Sequence, residues 1–341
     1  MSRLRINMFA EGQDVPGQGV GSAYQEQVKL LRDYAADELE ILENERGEAD
    51  IHHFNTVHPR SYLRLRKSKV PTVMHVHFLP TTLDGSIQLP RFAFAIFKRY
   101  VIHYYKRADH LVTVNPIFIP QIEALGIPRE KISYIPNYVS RDSFYRLTQP
   151  EIQKFKAMLG ISEDKFIVLG VGQVQTRKGV LDFVEAAKRL PELEFIWCGG
   201  FSFGKITDGY EELQKVVESP PANVRFVGIV PREQMNQFYN VADCMFLPSF
   251  NELFPMSILE ASNLHLPIVV RDLELYEQIL EGTYLAADDL EGFVTALRGL
   301  ATDPEERKRW VNASANIEQF YSAEHVSQLW IDYYRRIAEE G

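Results

Sequence analysis

Short apolar runs alternate with amphipathic stretches along this chain, in two successive sets. The first set lies at 4–9, 38–43, 51–54, 70–77, 110–114 and 132–135. The second lies at 166–172, 194–198, 224–228, 243–247 and 267–271, with a weaker run at 283–286. Runs of this length, bounded by turn residues, read as buried strands. Between them, apolar positions recur at helical spacing over 22–32, 116–125, 178–190, 231–240, 255–264 and 288–301. Strand–helix alternation predicts parallel sheets with helices on both faces, and two sets predict two doubly wound α/β domains. The pattern breaks within 137–152, which predicts a first domain over 1–148 and a second over 152–320. A final helical stretch, 322–341, carries Trp330, Tyr333 and Tyr334 at near-helical spacing.

A length of 341 residues suits two ordinary domains, and 45% hydrophobic with 24% charged residues suits a globular protein. No apolar run reaches the length of a membrane-spanning helix, and the first residues lack the apolar stretch of a signal peptide. Cys198 and Cys244 sit in strand-like runs and read as buried thiols, without metal-ligand spacing. These features predict a cytoplasmic protein. Its charge is unevenly placed: residues 1–150 hold 19 Lys+Arg against 16 Asp+Glu, and the remainder 18 against 30. Within 52–110, ten basic residues face only Asp84 and Asp109, a local balance of +8 that calls for an anionic partner.

The candidate chemistry gathers in four places. In Pro248–Ser262, Glu252 precedes Glu260 by eight positions, the first in a polar turn and the second inside a predicted helix. The unit reads as strand, loop, helix, strand, and such loops bind ligands in open α/β sheets. The helix start near Met256 and Ser257 offers N–H groups to an anion. Two acceptors flanking such a start suit a sugar nucleotide. The plainer alternative makes one carboxylate a helix cap and leaves the other on the wet face. Phe166–Val180 forms a second signal, in which a buried strand delivers Arg177 and Lys178 to a loop entering a helix. Cations there can neutralise a diphosphate, although an Arg-Lys pair in a loop is usually solvated surface. Third, Pro16–Tyr24 carries Gly17, Gly19 and Gly21, followed by Ser22, which reads as an N-cap. A simple turn is the alternative; a dinucleotide fingerprint fits poorly, because seven residues separate the strand from the first glycine. Fourth, His75 and His77 end a strand on one face, with no third metal ligand nearby.

Taken together and in their order along the chain, these motifs resemble the retaining glycosyltransferases of family 4, which have the GT-B fold of two Rossmann-like domains facing across a cleft. The resemblance spans roughly residues 12–265. It implies that Glu252 contacts the donor sugar, that Glu260 holds the ribose, and that Gly19 and Gly21 lie against the donor's diphosphate and sugar. It places Lys178 at the departing diphosphate, with Met256 and Ser257, and favours His77 over His75 at the reacting face. The chain departs from the family pattern at Gln173, which occupies the usual arginine position, so either Gln173 or Arg177 takes that role. The resemblance also implies an acceptor-binding first domain and a nucleotide-sugar-binding second domain, with the final helix crossing back onto the first. The donor is then UDP-glucose or UDP-galactose. No Asp-x-Asp metal motif occurs and no cofactor is expected.

The chain is similar, more narrowly, to bacterial enzymes that add a second hexose to monoglucosyl-diacylglycerol. Segments 60–69 and 91–107 mix cations with aromatic and apolar residues, which suits attachment to an anionic membrane surface on the inner face of the cell membrane. A core helix with snorkelling basic ends is the alternative for 91–107. No nucleic-acid-binding motif is present. Two other functions remain: a family 4 enzyme with a soluble sugar or cell-wall precursor as acceptor, and a non-transferase, either an epimerase on this architecture or an oxidoreductase.

Overall fold

The computed structural model describes residues 3–11, 19–79, 91–202 and 204–340. The chain divides into two units, the first formed by described residues up to 138 together with 321–340, the second by 139–320. In the first unit the apolar runs become β1 (Leu4–Phe9), β2 (Leu39–Glu43), β3 (Ile51–Phe54), β4 (Thr72–Val76), β5 (His110–Thr113) and β6 (Ile132–Tyr134). The connecting helices are α1 (Gly19–Tyr34), α2 (Pro59–Lys67), α3 (Arg91–Arg107) and α4 (Ile119–Ala124). All pairings are parallel and the sheet order is β2-β1-β3-β4-β5-β6.

The second unit begins with α5 (Gln149–Met158) and alternates β7 (Ile167–Val171), α6 (Val180–Arg189), β8 (Glu194–Cys198), α7 (Tyr210–Glu218), β9 (Val224–Phe226) and α8 (Arg232–Val241). It continues with β10 (Cys244–Leu247), α9 (Met256–Ser262), β11 (Ile268–Arg271), α10 (Glu274–Leu280), β12 (Leu285–Ala287), α11 (Leu290–Thr302) and α12 (Pro304–Phe320). Its parallel sheet has the order β12-β11-β10-β7-β8-β9. The continuous apolar runs follow from burial on both faces: Ile167, Val168, Leu169 and all of β10 are fully inaccessible.

The last helix, α13 (Ala323–Glu340), belongs to the first unit. Its stripe of Val326, Trp330, Tyr333, Tyr334 and Ile337 packs in one cluster with Tyr24, Val28 and Leu31 of α1. The Tyr334 hydroxyl also sits 2.6 Å from His53 Nδ1 on β3.

The division between units falls at 138/139. Segment 139–148, assigned to the first domain by its break in pattern, is tied by backbone to the second unit. Tyr145 and Leu147 donate to the Asn236 and Asn240 side chains at 3.1 and 2.8 Å, and the Val139 carbonyl accepts from Asn263 at 3.1 Å. Helix α1 begins at Gly19, so Ser22 lies inside its first turn and is not its N-cap. Lys178 closes a 3-10 turn, and α6 starts only after Gly179, which takes the left-handed conformation at φ 69°.

Candidate active site

In the second sheet β8 lies on one side of β7 and β10 on the other, so the connections leaving β7 and β10 diverge to opposite faces. The crevice at such a switch point is where open α/β sheets take ligands. The two loops there are Gly172–Gly179 after β7 and Pro248–Pro255 after β10. They touch backbone to backbone: the Phe250 N–H donates to the Arg177 carbonyl at 2.8 Å. A Cβ on Gly179 would stand 2.1 Å from the Pro248 carbonyl oxygen, so both φ and the close approach require glycine there.

This contact brings three predicted site residues together. Lys178 Nζ donates to Glu252 Oε1 within a buried ion pair, and Arg177 Nη1 lies 3.6 Å from Glu252 Oε2. Arg177 is also braced, its Nη1 donating to the Asn251 carbonyl and its Nε to Gln175 Oε1, both at 3.1 Å. Gln175, 1% exposed, donates in turn to Gln173 Oε1 at 2.6 Å. Residues 173, 175 and 177 thus form a ladder with the guanidinium at the Glu252 end. Gln173 supports that ladder and carries no charge, so Arg177 supplies the second cation of the cluster.

Burial pushes the Glu252 carboxyl upward, but Lys178 and Arg177 outweigh it and hold the group below its ordinary value. Burial pulls the Lys178 ammonium below the usual lysine range, against the attraction of Glu252. The carboxylate stays ionised, because a buried charge with two cationic partners is compensated.

Glu260 lies on α9, whose first turn holds Met256 and Ser257, all three buried. Its carboxylate is engaged separately: Oε1 accepts from Arg232 Nη1 and Oε2 from the Tyr239 hydroxyl, each at 2.6 Å. Both partners come from α8, seven residues apart and on one face. Sequence reasoning missed them, as it missed Gln175. The available signal was Arg and Tyr at i and i+7, opposite an acidic residue in the next helix. Each carboxylate retains lone pairs beyond those already engaged, so each can still accept from ligand hydroxyls.

In the first unit, the switch point lies between β1 and β3. A cavity of about 240 Å³ there is lined by Glu11, Gly21, Asn55, Thr56, His75 and His77, among others. Gly19 stands at the start of α1, two residues before Gly21. Both glycines therefore belong to the helix's first turn; Pro16 and Gly17 lie outside the described residues. His77 and His75 stack with ring centroids 4.1 Å apart, and His53 stacks on His75 at 5.5 Å. Burial keeps all three imidazoles neutral, pushing His77 down to about 4 and His53 to about 3. His77 is nonetheless partly exposed at the cavity, whereas His53 and His75 are buried. Among the described residues no cluster of His, Cys, Asp and Glu is arranged to hold a metal ion.

The cationic segments form α2 and α3, joined by the His103 Nε2–Tyr62 hydroxyl contact at 2.8 Å. The core-helix reading of 91–107 holds for part of α3. Val101, Tyr104 and Tyr105 of α3 are buried, while Phe92 and Ile96, one helical turn apart, are 72% and 66% exposed. Leu63 of α2 is exposed too. Among the described residues no helix is long and apolar enough to cross a membrane.

Comparison with known proteins agrees with this architecture. Residues 20–143 match the family described as Glycosyltransferase Family 4, and residues 151–317 the one described as Glycosyl transferases group 1. The chain is 47% identical to alpha-galactosylglucosyldiacylglycerol synthase of Streptococcus pneumoniae, over 99% of this chain and 91% of that protein. It is 25% identical to processive diacylglycerol alpha-glucosyltransferase of Acholeplasma laidlawii, over 82% of this chain and 84% of the relative. Among solved structures, Anabaena HepE in complex with UDP and glucose superposes with a TM-score of 0.78 at 16% identity, covering 98% of this chain and 100% of that one. Sucrose-phosphate synthase from Thermosynechococcus elongatus superposes with a TM-score of 0.79 at 16% identity, covering 99% and 100%. Two Rossmann-like units, loops meeting at a switch point and a full-length relative at this identity lead to one conclusion: the chain belongs to the GT-B glycosyltransferases of family 4.

Proposed function

We propose that the protein transfers a hexose from UDP-hexose to the sugar head of a membrane glycolipid, monoglucosyl-diacylglycerol, with retention of anomeric configuration. The observation that carries this reading is the Lys178–Arg177–Glu252 cluster in a chain 47% identical, over nearly its whole length, to a galactosylglucosyldiacylglycerol synthase. In the reaction the bond from the anomeric carbon to the diphosphate oxygen breaks, and a bond to the acceptor hydroxyl oxygen forms on the same face. The hydroxyl proton leaves with the diphosphate. Lys178 and Arg177 stabilise the charge developing on the departing diphosphate. Glu252 accepts from sugar hydroxyls while its own charge keeps both cations in place, and Glu260 accepts from the ribose. His77, neutral at pH 7, hydrogen-bonds the donor sugar. Two protein cations supply the charge that a divalent ion would otherwise bring, so activity in EDTA belongs to the same reading.

The test is UDP release from UDP-glucose and from UDP-galactose in mixed micelles containing EDTA, with and without monoglucosyl-diacylglycerol. Release that depends on the lipid, with one of the two sugars, is the expected result. Release indifferent to the lipid moves the acceptor to the soluble class.

The second element of the reading is attachment to the inner face of the cell membrane through α2 and α3. Phe92, Ile96 and Leu63 would enter the headgroup region, with Arg60, Arg66, Arg99 and neighbouring cations against anionic lipid. Burying two such side chains contributes about 1.5–3 kcal/mol each. The Phe92→Ser/Ile96→Ser double variant is therefore expected to bind anionic vesicles at least tenfold more weakly at low salt. Equal flotation of variant and parent protein would remove this surface from the proposal.

A further inference from the structure

Asn55 is the first residue beyond β3, fixed by its N–H to the Phe9 carbonyl at 2.8 Å. It is 1% exposed, yet neither Oδ1 nor Nδ2 has a hydrogen-bond partner in the protein. A buried amide left unpaired is destabilising, and native proteins hold few of them. Packing does not explain it, because a leucine of similar shape would avoid that cost.

The side chain lines the cavity at the first unit's switch point, beside Glu11, Thr56 and His77. A primary amide both donates and accepts, which matches two neighbouring hydroxyls of a sugar: one gives its proton to Oδ1 and the other accepts from Nδ2. Glu11 adds a fixed acceptor, since its Oε2 accepts from Ser61 Oγ and its Oε1 lies 3.3 Å from Arg64 Nε. At about 240 Å³ the cavity falls below the ~300–1,000 Å³ of pockets for larger ligands. It suits one sugar ring, not a nucleotide. His77 is assigned to the donor sugar, and the acceptor hydroxyl must approach that sugar's anomeric carbon, so Asn55 and Glu11, which share the cavity with His77, are placed for the acceptor.

We propose that Asn55, supported by Glu11, reads the hydroxyls of the acceptor's terminal hexose and sets acceptor specificity. This rests on the reading of the acceptor as a sugar-headed lipid. Asn55 is then kept at a cost to stability for the sake of recognition.

The experiment compares the parent protein with Asn55→Leu and Asn55→Asp in steady-state transfer, thermal unfolding and calorimetric binding of octyl α-glucoside, a soluble stand-in for the headgroup. For Asn55→Leu the KM for monoglucosyl-diacylglycerol is expected to rise at least tenfold. The KM for UDP-hexose stays within twofold and Tm is unchanged or higher. Asn55→Asp, which keeps an acceptor, recovers part of the loss. A fall in Tm with both KM values disturbed makes Asn55 structural and overturns the proposal. A raised donor KM with an unchanged acceptor KM overturns it as well, by assigning the residue to the donor. If the parent protein transfers to no glycolipid yet binds the glucoside, and Asn55→Leu abolishes that binding, the sugar site stands while the lipid reading fails. Absence of glucoside binding in the parent protein overturns the site itself.

Discussion

Replacing Lys178 with methionine is expected to lower kcat by about 10²–10³, the effect typical of removing one preorganised charge partner from a transition state. The KM for UDP-hexose should change less, because the ammonium matters most as the diphosphate departs. The substitution also strands Glu252. Removing one member of a buried ion pair costs about 3–5 kcal/mol, and Arg177, 3.6 Å away, keeps the cost towards the lower figure. A second variant separates these effects. Lys178→Met combined with Glu252→Met leaves no unpaired carboxylate, so Tm should return towards that of the parent protein while turnover stays low. Stopped-assay UDP release and thermal unfolding of the three proteins provide the check. Native turnover in Lys178→Met would remove the lysine from the chemistry.

Acid is expected to destabilise the first unit steeply. His53 and His75 are buried among Trp330, His77 and one another, and burial holds both well below the ordinary histidine range, His53 at about 3. Above pH 6.5 both are neutral in the folded and unfolded states, and nothing is lost. Below pH 6.5 the unfolded chain takes up a proton at each that the folded chain refuses, so stability falls as pH falls. Each group contributes about 1.4 kcal/mol per pH unit, which gives about 4 kcal/mol lost between pH 6.5 and pH 5. Against a total of about 5–15 kcal/mol, that brings unfolding within reach. Denaturant melts between pH 7 and pH 4.5 measure the slope, to which His77 adds as well, and His75→Phe should remove about a third of it. A flat profile in the parent protein would show that water or a compensating charge reaches the stack.

All twelve strands among the described residues were legible, most of them because a strand covered on both faces must be apolar throughout; β12, partly exposed at the sheet edge, shows only as the weak run at 283–286. Four helices were not. Helix α12 buries only Ser314 and Ile317 among its described side chains, so its charged pattern gives little periodicity to read. Helices α7 and α10 are short. Helix α5 was lost in the apparent linker, although Thr148 and Glu151 form a capping box that marks its start. The cluster of Lys178, Arg177 and Glu252 was found because each residue lies in a motif on the chain. The supporting residues escaped: Gln175 acts only through Arg177, and Arg232 and Tyr239 meet Glu260 only when α8 and α9 pack. Asn55 follows an ordinary strand, and its significance rests on what it fails to touch.

The return of α13 also governs the order in which this protein can be made. The segment that covers the apolar side of α1 is translated only after all of residues 139–320. Emerging from the ribosome, the first unit must wait with Tyr24, Val28 and Leu31 lacking their α13 partners, while the described residues of the second run without interruption by the first over 139–320. Synthesis thus runs from the amino end, but completion runs the other way, and the interval between them is when a chaperone has something to hold.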